Sequence, residues 1–272
     1  MPDNRLTPEV LADILAVGRE VIHTLQAAKA LARDPKEPGV ARKKKFDAKL
    51  EALVKRHFAG QAEQFKAALE SRYPDRKAVT VTPKVDDLFD WDDPEFDADL
   101  VILLTQAAKD GIILFSEKVT IGMDYTLTNT RAADWARKYS YELVKGIDDT
   151  TRQALQSAIS NFVETPGMTI GDTMNQLPFS GQRSVMVATT EITRAYAQAN
   201  QLAGEDLSKA YPDVKVTKRW FTNRDDLVCD ICEPMNGEEV DIDEPFSSGD
   251  DVPPAHVNCR CWTSVGTRLI ND

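Results

Sequence analysis

The 272-residue chain has 33 basic and 44 acidic residues, which gives a formal net charge of −11 at neutral pH. An acidic chain repels the phosphate backbone, so DNA or RNA is disfavoured as its main ligand, although a local basic patch is compatible with this charge. Apolar residues make up 42% of the chain, as is typical of a globular protein with a substantial core. No segment approaches the roughly 18 apolar residues of a membrane span, and the N-terminus does not resemble a signal peptide. We therefore expect a protein made and kept in a reducing cytoplasm.

Hydrophobic periodicity predicts a helical first half. Apolar residues recur every three or four positions over residues 7–32, and a second helix is predicted from about residue 42 to 72, antiparallel to the first. Four basic residues, 42–45, open this second helix, and we expect them to face solvent or an acidic neighbour. Further helices are predicted over residues 98–118 and 129–145, the latter ending at Gly146.

A second set of helical signals follows Gly146. Asp148 or Asp149 is expected to cap a new helix, which the Thr165-Pro-Gly sequence should end. A short helix over residues 169–177 and a long one from a Ser180 cap through Leu202 are predicted next.

The segment between the second and third predicted helices is strongly acidic, with eight acids in residues 86–99. Phe89, Trp91 and Phe96 are interspersed among these acids. Because aromatic residues are enriched in interface cores, we expect these three side chains to bind a partner. The competing interpretation is that they pack into the chain's own helical bundle.

After Tyr211-Pro212 the pattern changes to that of strands. Val214, Val216 and Trp220 alternate with polar residues, Asn236-Gly237 is typical of a turn before residues 239–242, and residues 260–265 are a candidate last strand. The fold class is therefore mainly α with a C-terminal α+β cysteine-rich unit, a helical bundle followed by a small zinc-stapled β unit. We expect its divisions to be residues 1–145, 146–210 and 211–272.

All four cysteines and one of the three histidines lie within residues 229–261. Cys229-x-x-Cys232 has the spacing of a zinc half-site, and Cys259 and Cys261 would project to one face of an extended segment. With His256 they make five candidate ligands for a site that needs four. Two alternatives stay open: reduced thiols in ordinary packing, and disulfides, which require an oxidising compartment.

Catalytic signatures are few. There is no His-Glu-x-x-His, phosphate-binding Walker loop or Gly-x-Ser-x-Gly in the sequence. A hydrolase or toxin-type enzyme that uses the Cys/His cluster is the alternative function, but a closed four-ligand metal site leaves no position for substrate, which favours a non-enzymatic role. We expect Trp220, Glu191 and Arg260 to be structural, with Arg260 paired to Glu191, because a carboxylate near a core stripe is costly unless paired.

From about Gly146 to Val265 the chain resembles the phage Mu F-like family of minor head, or head morphogenesis, proteins of tailed phages. The most specific mark is Pro253-Pro-Ala-His-Val-Asn-Cys-Arg-Cys261 after Cys-x-x-Cys. Thr189 and Val257 depart from the family's usual arginine and proline. The remaining matching marks are Gly146-Ile147, Thr150-Thr151, Thr190-Glu191, Trp220, Asp225 or Asp226, and Asn236-Gly237.

This resemblance implies a structural component of the virion or procapsid, near the portal, with an influence on DNA packaging or ejection. It implies the portal protein and the major capsid protein or scaffold as partners. The location would be the phage head, and the host cytoplasm during assembly.

Overall fold

The computed structural model describes residues 32–74, 82–223 and 225–270. These residues form a helical bundle followed by a small antiparallel sheet, as the sequence predicts. The first predicted helix lies outside the described residues, apart from its last residue. No helix in the described ranges is both long and apolar enough to cross a membrane. The elements are α1 (Val40–Arg72), α2 (Pro94–Lys118), α3 (Thr126–Glu164), α4 (Ile170–Met174), α5 (Gly181–Ala210), β1 (Val214–Phe221), β2 (Glu239–Asp241) and β3 (Trp262–Leu269).

Helix α3 corrects one prediction, because it runs through Gly146 without a break. Gly146 is exposed, and a glycine within a helix costs only about 1 kcal/mol relative to alanine. The buried side chains of Ile147, Thr151 and Leu155 hold the following turns in the core. Asp148 caps nothing; it is buried and accepts a hydrogen bond from Gln61 on α1.

Several other helix ends lie where the sequence predicts them. Helix α3 ends at Glu164, directly before the Thr165-Pro-Gly sequence. Thr169 caps α4 in a reciprocal capping box with Asp172, and the Ser180 hydroxyl accepts from the Arg183 N–H to cap α5. Helix α5 continues past Leu202 to Ala210.

Helix α5 is the central element, since it contacts α1, α2, α3 and the sheet. Its buried Ile192 and Tyr196 join Phe58 of α1 and Leu100 of α2 in the main core. Gly111 of α2 permits a close approach of α2 to α5, because a Cβ there would lie 2.8 Å from the Ala199 Cβ. Helix α5 is therefore held by the other helices of the bundle, and the C-terminal unit packs against it.

A buried ionic network fixes the segment before α1 to α5. The Arg33 guanidinium donates to both carboxylate oxygens of Asp47, at 2.6 and 2.7 Å, and to the Thr193 hydroxyl of α5 at 2.9 Å. Lys43, from the basic opening of α1, donates to Glu37 at 2.6 Å and is buried. This part of the basic run therefore contacts an acidic neighbour.

The sheet has the order β2-β1-β3, with both pairings antiparallel. Strand β3 begins at Trp262, two residues later than predicted. Val216 of β1 and Ile242 pack with Ala203 and Leu207 of α5, so one face of the sheet covers the second half of this helix.

The acidic segment corrects the partner-binding prediction. Phe89 packs with Phe65 and Leu155, and Phe96 lies in the main core, so both side chains are buried inside this chain and cannot form a docking surface. Trp91 is half-buried and stacks on the Arg152 guanidinium, with 4.4 Å from the ring centre to Cζ. Apolar residues of α1 and α3 shield Phe89 and Phe96 from solvent.

His57 of α1 joins three helices. Its ring stacks on Phe96, with centroids 3.9 Å apart, and its Nδ1 lies 2.7 Å from Asp93 Oδ2 at the start of α2. Its Nε2 is 3.8 Å from Asp148 Oδ1 of α3. Burial lowers the pKa of His57, but the two carboxylates outweigh burial and raise the pKa above its ordinary 6.5.

We expect the stability contribution of His57 to depend on pH. Because its folded pKa is raised, the contribution is fully present below pH 6.5 and is lost as the pH rises through the folded pKa. The free energy of unfolding of wild type minus that of His57→Gln, measured by urea denaturation, should therefore be larger at pH 6 than at pH 9. A difference that stays constant or grows with pH would contradict this assignment.

Candidate metal centre

Strand pairing brings the two cysteine-bearing loops together. Phe221, the last residue of β1, pairs with Trp262, the first residue of β3, and their rings stack at 4.2 Å. The loop that leaves β1 carries Cys229 and Cys232, and the loop that enters β3 ends at Cys261. The first loop therefore begins, and the second loop ends, at the same end of the β1–β3 strand pair.

The thiols and the imidazole lie within ligand distance of one another. His256 Nε2 is 3.0 Å from Cys229 Sγ and 3.3 Å from Cys232 Sγ, and Cys232 Sγ is 3.8 Å from Cys259 Sγ. This confirms that the loops meet well within the roughly 10 Å beyond which a shared zinc or disulfide is excluded. Two groups of three could hold a metal ion: Cys229, Cys232 and His256, and Cys232, Cys259 and Cys261.

Cys232 is the common member of both groups and is buried, as are Cys259 and Cys261. Two zinc–sulfur arms of about 2.3 Å at the tetrahedral angle place their sulfurs about 3.8 Å apart. The separation of Cys232 and Cys259 has this value. Sulfur–sulfur bonds are absent, because all four cysteines are free.

His256 is held in the orientation of a metal ligand. Its Nδ1 lies 2.9 Å from the Val257 carbonyl, so Nδ1–H donates there and the lone pair of Nε2 points at the thiols. Metal-bound histidines commonly donate their other N–H to a carbonyl in this way. Burial lowers the pKa of His256, but the Val257 carbonyl and the thiolates raise it overall.

The thiol cluster favours a thiolate. Hydrogen bonds from Cys232 and Cys261 lower the pKa of Cys259 to about 2, and the same contacts raise the pKa of Cys232. Crowded thiols thus share negative charge that a bound cation would neutralise.

Trp220 packs against the cysteine cluster. Its side chain is fully buried, packs edge-on against Phe246 with ring centres 5.0 Å apart, and lies beside Cys261 in the same cluster of buried residues. No acceptor lies within hydrogen-bond distance of Trp220 Nε1 among the described residues. A buried indole N–H without a close acceptor is costly.

The turn between His256 and Cys259 attaches the centre to α5. Asn258 has a positive φ of 63°, a left-handed conformation that asparagine tolerates better than most residues. Its N–H donates to the Thr190 hydroxyl of α5 at 2.9 Å, and the Cys259 N–H donates to the His256 carbonyl. The asparagine of the motif therefore shapes the turn.

The predicted ion pair between Arg260 and Glu191 is wrong, because each side chain binds other partners. Arg260 donates to both oxygens of Asp225 in the first loop, at 2.5 and 2.8 Å. Glu191 accepts from the Tyr139 hydroxyl at 2.7 Å and from Arg194 at 3.3 Å. Burial raises the pKa of Glu191. Asp225 lies close to Arg260 because the loop after β1 and the loop before β3 meet at the same end of these two strands. Glu191 lies on α5, outside both loops.

Asn223 is a residue that the sequence did not single out. It is buried, its Nδ2 donates to the Ala32 carbonyl at 2.9 Å, and its Oδ1 accepts from the Asp34 N–H at 3.1 Å. It therefore joins the first loop to the segment before α1. A single asparagine in a polar turn, Asn223-Arg-Asp-Asp226, gives no periodic signal from which this contact could be found.

The Cys229–His256 pair also has the distance of a nucleophile and a base. The cleft beside it has a volume of only about 20 Å³, and Leu227, Cys232 and Arg260 line it. Such a cleft has room for about one water molecule.

We expect Cys232→Ser to abolish metal binding, because Cys232 belongs to both ligand groups. Zinc content, measured by elemental analysis, should fall from about one ion per chain to near zero. The free energy of unfolding, measured by urea denaturation, should fall by at least about 3 kcal/mol, since structural zinc contributes on the order of 10 kcal/mol. Ile231→Ser, exposed in the same loop, is the matched control and should retain zinc; equal zinc in both variants would refute the site.

The model of a family described as Phage Mu protein F like protein matches residues 145–264. No curated protein and no solved structure matches the chain significantly. The matched residues include the second half of α3, all of α5 and both cysteine-bearing loops, which confirms the resemblance read from the motifs. Residues 145–264 of this chain therefore carry the sequence of the phage Mu F-like family.

Proposed function

We propose that this protein is a structural minor head protein that acts in procapsid assembly near the portal of a tailed phage or prophage. The family match indicates a phage head morphogenesis protein, and the described residues offer a reason for a non-enzymatic role. The observation that carries the proposal is the Cys/His cluster of the two loops, which contact α5 through Asn258 and lie within the residues that match the family. Its partners would be the portal protein and the major capsid protein or scaffold.

The cluster would serve this function as a zinc staple. We assign Cys229, Cys232, His256 and Cys259 as the four ligands, because Cys232 lies 3.8 Å from Cys259 and His256 lies within 3.3 Å of the other two thiols. Cys261 would remain outside the metal shell, against Trp220. A bound zinc would add a link between the loops that the three-stranded sheet alone does not supply. This link would keep their outer surface rigid for assembly.

The enzyme alternative is favoured only by the 3.0 Å between Cys229 and His256. It requires a free thiolate and a substrate pocket, and the cleft of about 20 Å³ supplies no such pocket. A head protein needs neither.

We expect the full-length chain to be part of purified procapsids in far fewer copies than the major capsid protein. Procapsids from cells that produce all the head proteins are analysed by quantitative mass spectrometry, and chemical cross-linking should join the chain to the portal protein. Particles with Cys232→Ser should contain less of the chain than particles with the control Ile231→Ser. Absence of the wild-type chain from the particles would contradict the proposed function.

A further inference from the structure

Cys229 differs from the other three cysteines in its exposure to solvent. Its side chain is partly exposed, whereas Cys232, Cys259 and Cys261 are buried. Cys229 also lines the cleft of about 20 Å³, which has room for a molecule not much larger than water. A thiol reacts with a dissolved oxidant only where the oxidant reaches the sulfur. Cys229 is therefore the thiol of the cluster that a small oxidant meets first.

Cys232 is the thiol that the backbone places beside Cys229. The Cys232 N–H donates to the Cys229 carbonyl at 3.1 Å, which makes a turn of the 3₁₀ type. In such a turn the side chains of residues three apart are aligned. The two Sγ atoms lie within 4.8 Å of each other, and no ligand group among the described residues combines Cys229 with Cys259 or Cys261. A disulfide that begins at Cys229 therefore has Cys232 as its nearest partner.

We propose that Cys229 and Cys232 are an oxidation site, at which a hydroperoxide converts the two thiolates to a disulfide and displaces zinc. The Cys229 thiolate attacks hydrogen peroxide, so that an S–O bond forms, the O–O bond breaks and hydroxide leaves. The Cys232 thiolate then attacks the sulfur of this sulfenic acid, so that the S–S bond forms and a second hydroxide leaves. The two sulfurs lose two electrons, the peroxide gains them, and both hydroxides take protons from the solvent.

The disulfide removes two of the four ligands that we assign to the zinc staple. Cys232 belongs to both ligand groups, so its oxidation leaves neither group complete. Zinc is therefore released, and the metal link between the loop after β1 and the loop before β3 is lost. A reducing compartment maintains the staple, and exposure to peroxide opens it. The release of zinc rests on the proposed function of the cluster, whereas the formation of the disulfide does not.

The test treats the purified full-length protein with hydrogen peroxide in the presence of a chromogenic zinc chelator. Cleavage of the product after arginine and glutamate, without reduction, then separates the cysteines. Residues 225–238 carry Cys229 and Cys232, and Cys259 and Cys261 lie in other peptides. We expect the mass of peptide 225–238 to decrease by two hydrogen atoms, with about one zinc ion released for each disulfide. Treatment with a dithiol reductant should restore the original mass.

Three variants separate the roles of the thiols. Cys229→Ser lacks the accessible thiol, so disulfide formation should be at least about tenfold slower than in wild type. Cys232→Ser leaves Cys229 without its partner, so dimedone, which reacts with sulfenic acids, should label Cys229 after peroxide treatment. Cys261→Ser is the matched control, because it removes a thiol of the same cluster that the disulfide does not use. It should form the disulfide at the wild-type rate.

The peptide map of wild type decides the inference even where a variant does not fold. A disulfide within residues 225–238 together with released zinc supports both parts of the proposal. The absence of a disulfide, or one that joins Cys259 or Cys261 to another cysteine, would overturn the inference. Wild-type protein that forms the disulfide but contains no zinc before treatment would contradict the zinc staple, while the oxidation site stands.

Discussion

The pairing of Phe221 with Trp262 is the contact on which the C-terminal unit depends. It places the exit of β1 beside the entry of β3, so loops separated by more than twenty residues share one edge of the sheet. Three buried thiols and an imidazole then crowd together, and such a cluster is electrostatically costly unless protons or a metal ion balance its charge. The physical argument for a zinc staple follows from this crowding.

Polar contacts, together with the apolar packing of the sheet on α5, attach this unit to the bundle. Asn258 donates to Thr190 of α5, and Asn223 binds the backbone of Ala32 and Asp34. Arg33, next along the chain, binds Asp47 and Thr193. Since buried polar groups are costly when unpaired, these contacts specify one docking geometry. The Cys/His loops, α5 and the segment before α1 therefore form one continuous structure.

The sequence predicted the features that local rules control. The short helix that begins near Thr169, the cap at Ser180, the helix end at Thr165-Pro-Gly and the convergence of the cysteine pairs depend on spacing and turn chemistry, and all are confirmed. Tertiary packing decided the rest. Gly146 did not end α3, because the buried residues after it hold the helix. Composition could not show whether Phe89 and Phe96 face inward, since that depends on apolar residues of distant helices. Asp225, not Glu191, pairs with Arg260, because the loop after β1 lies nearer to Arg260 than α5 does.

The most direct test of the central claim is zinc K-edge X-ray absorption on the full-length protein purified without added chelator. The account predicts one zinc ion per chain with three sulfur ligands at about 2.3 Å and one nitrogen ligand at about 2.0 Å. Replacement of His256 by alanine should remove the nitrogen contribution. A first shell of oxygen and nitrogen alone, or a metal-free protein with the same stability, would contradict the claim that the cluster is a zinc staple.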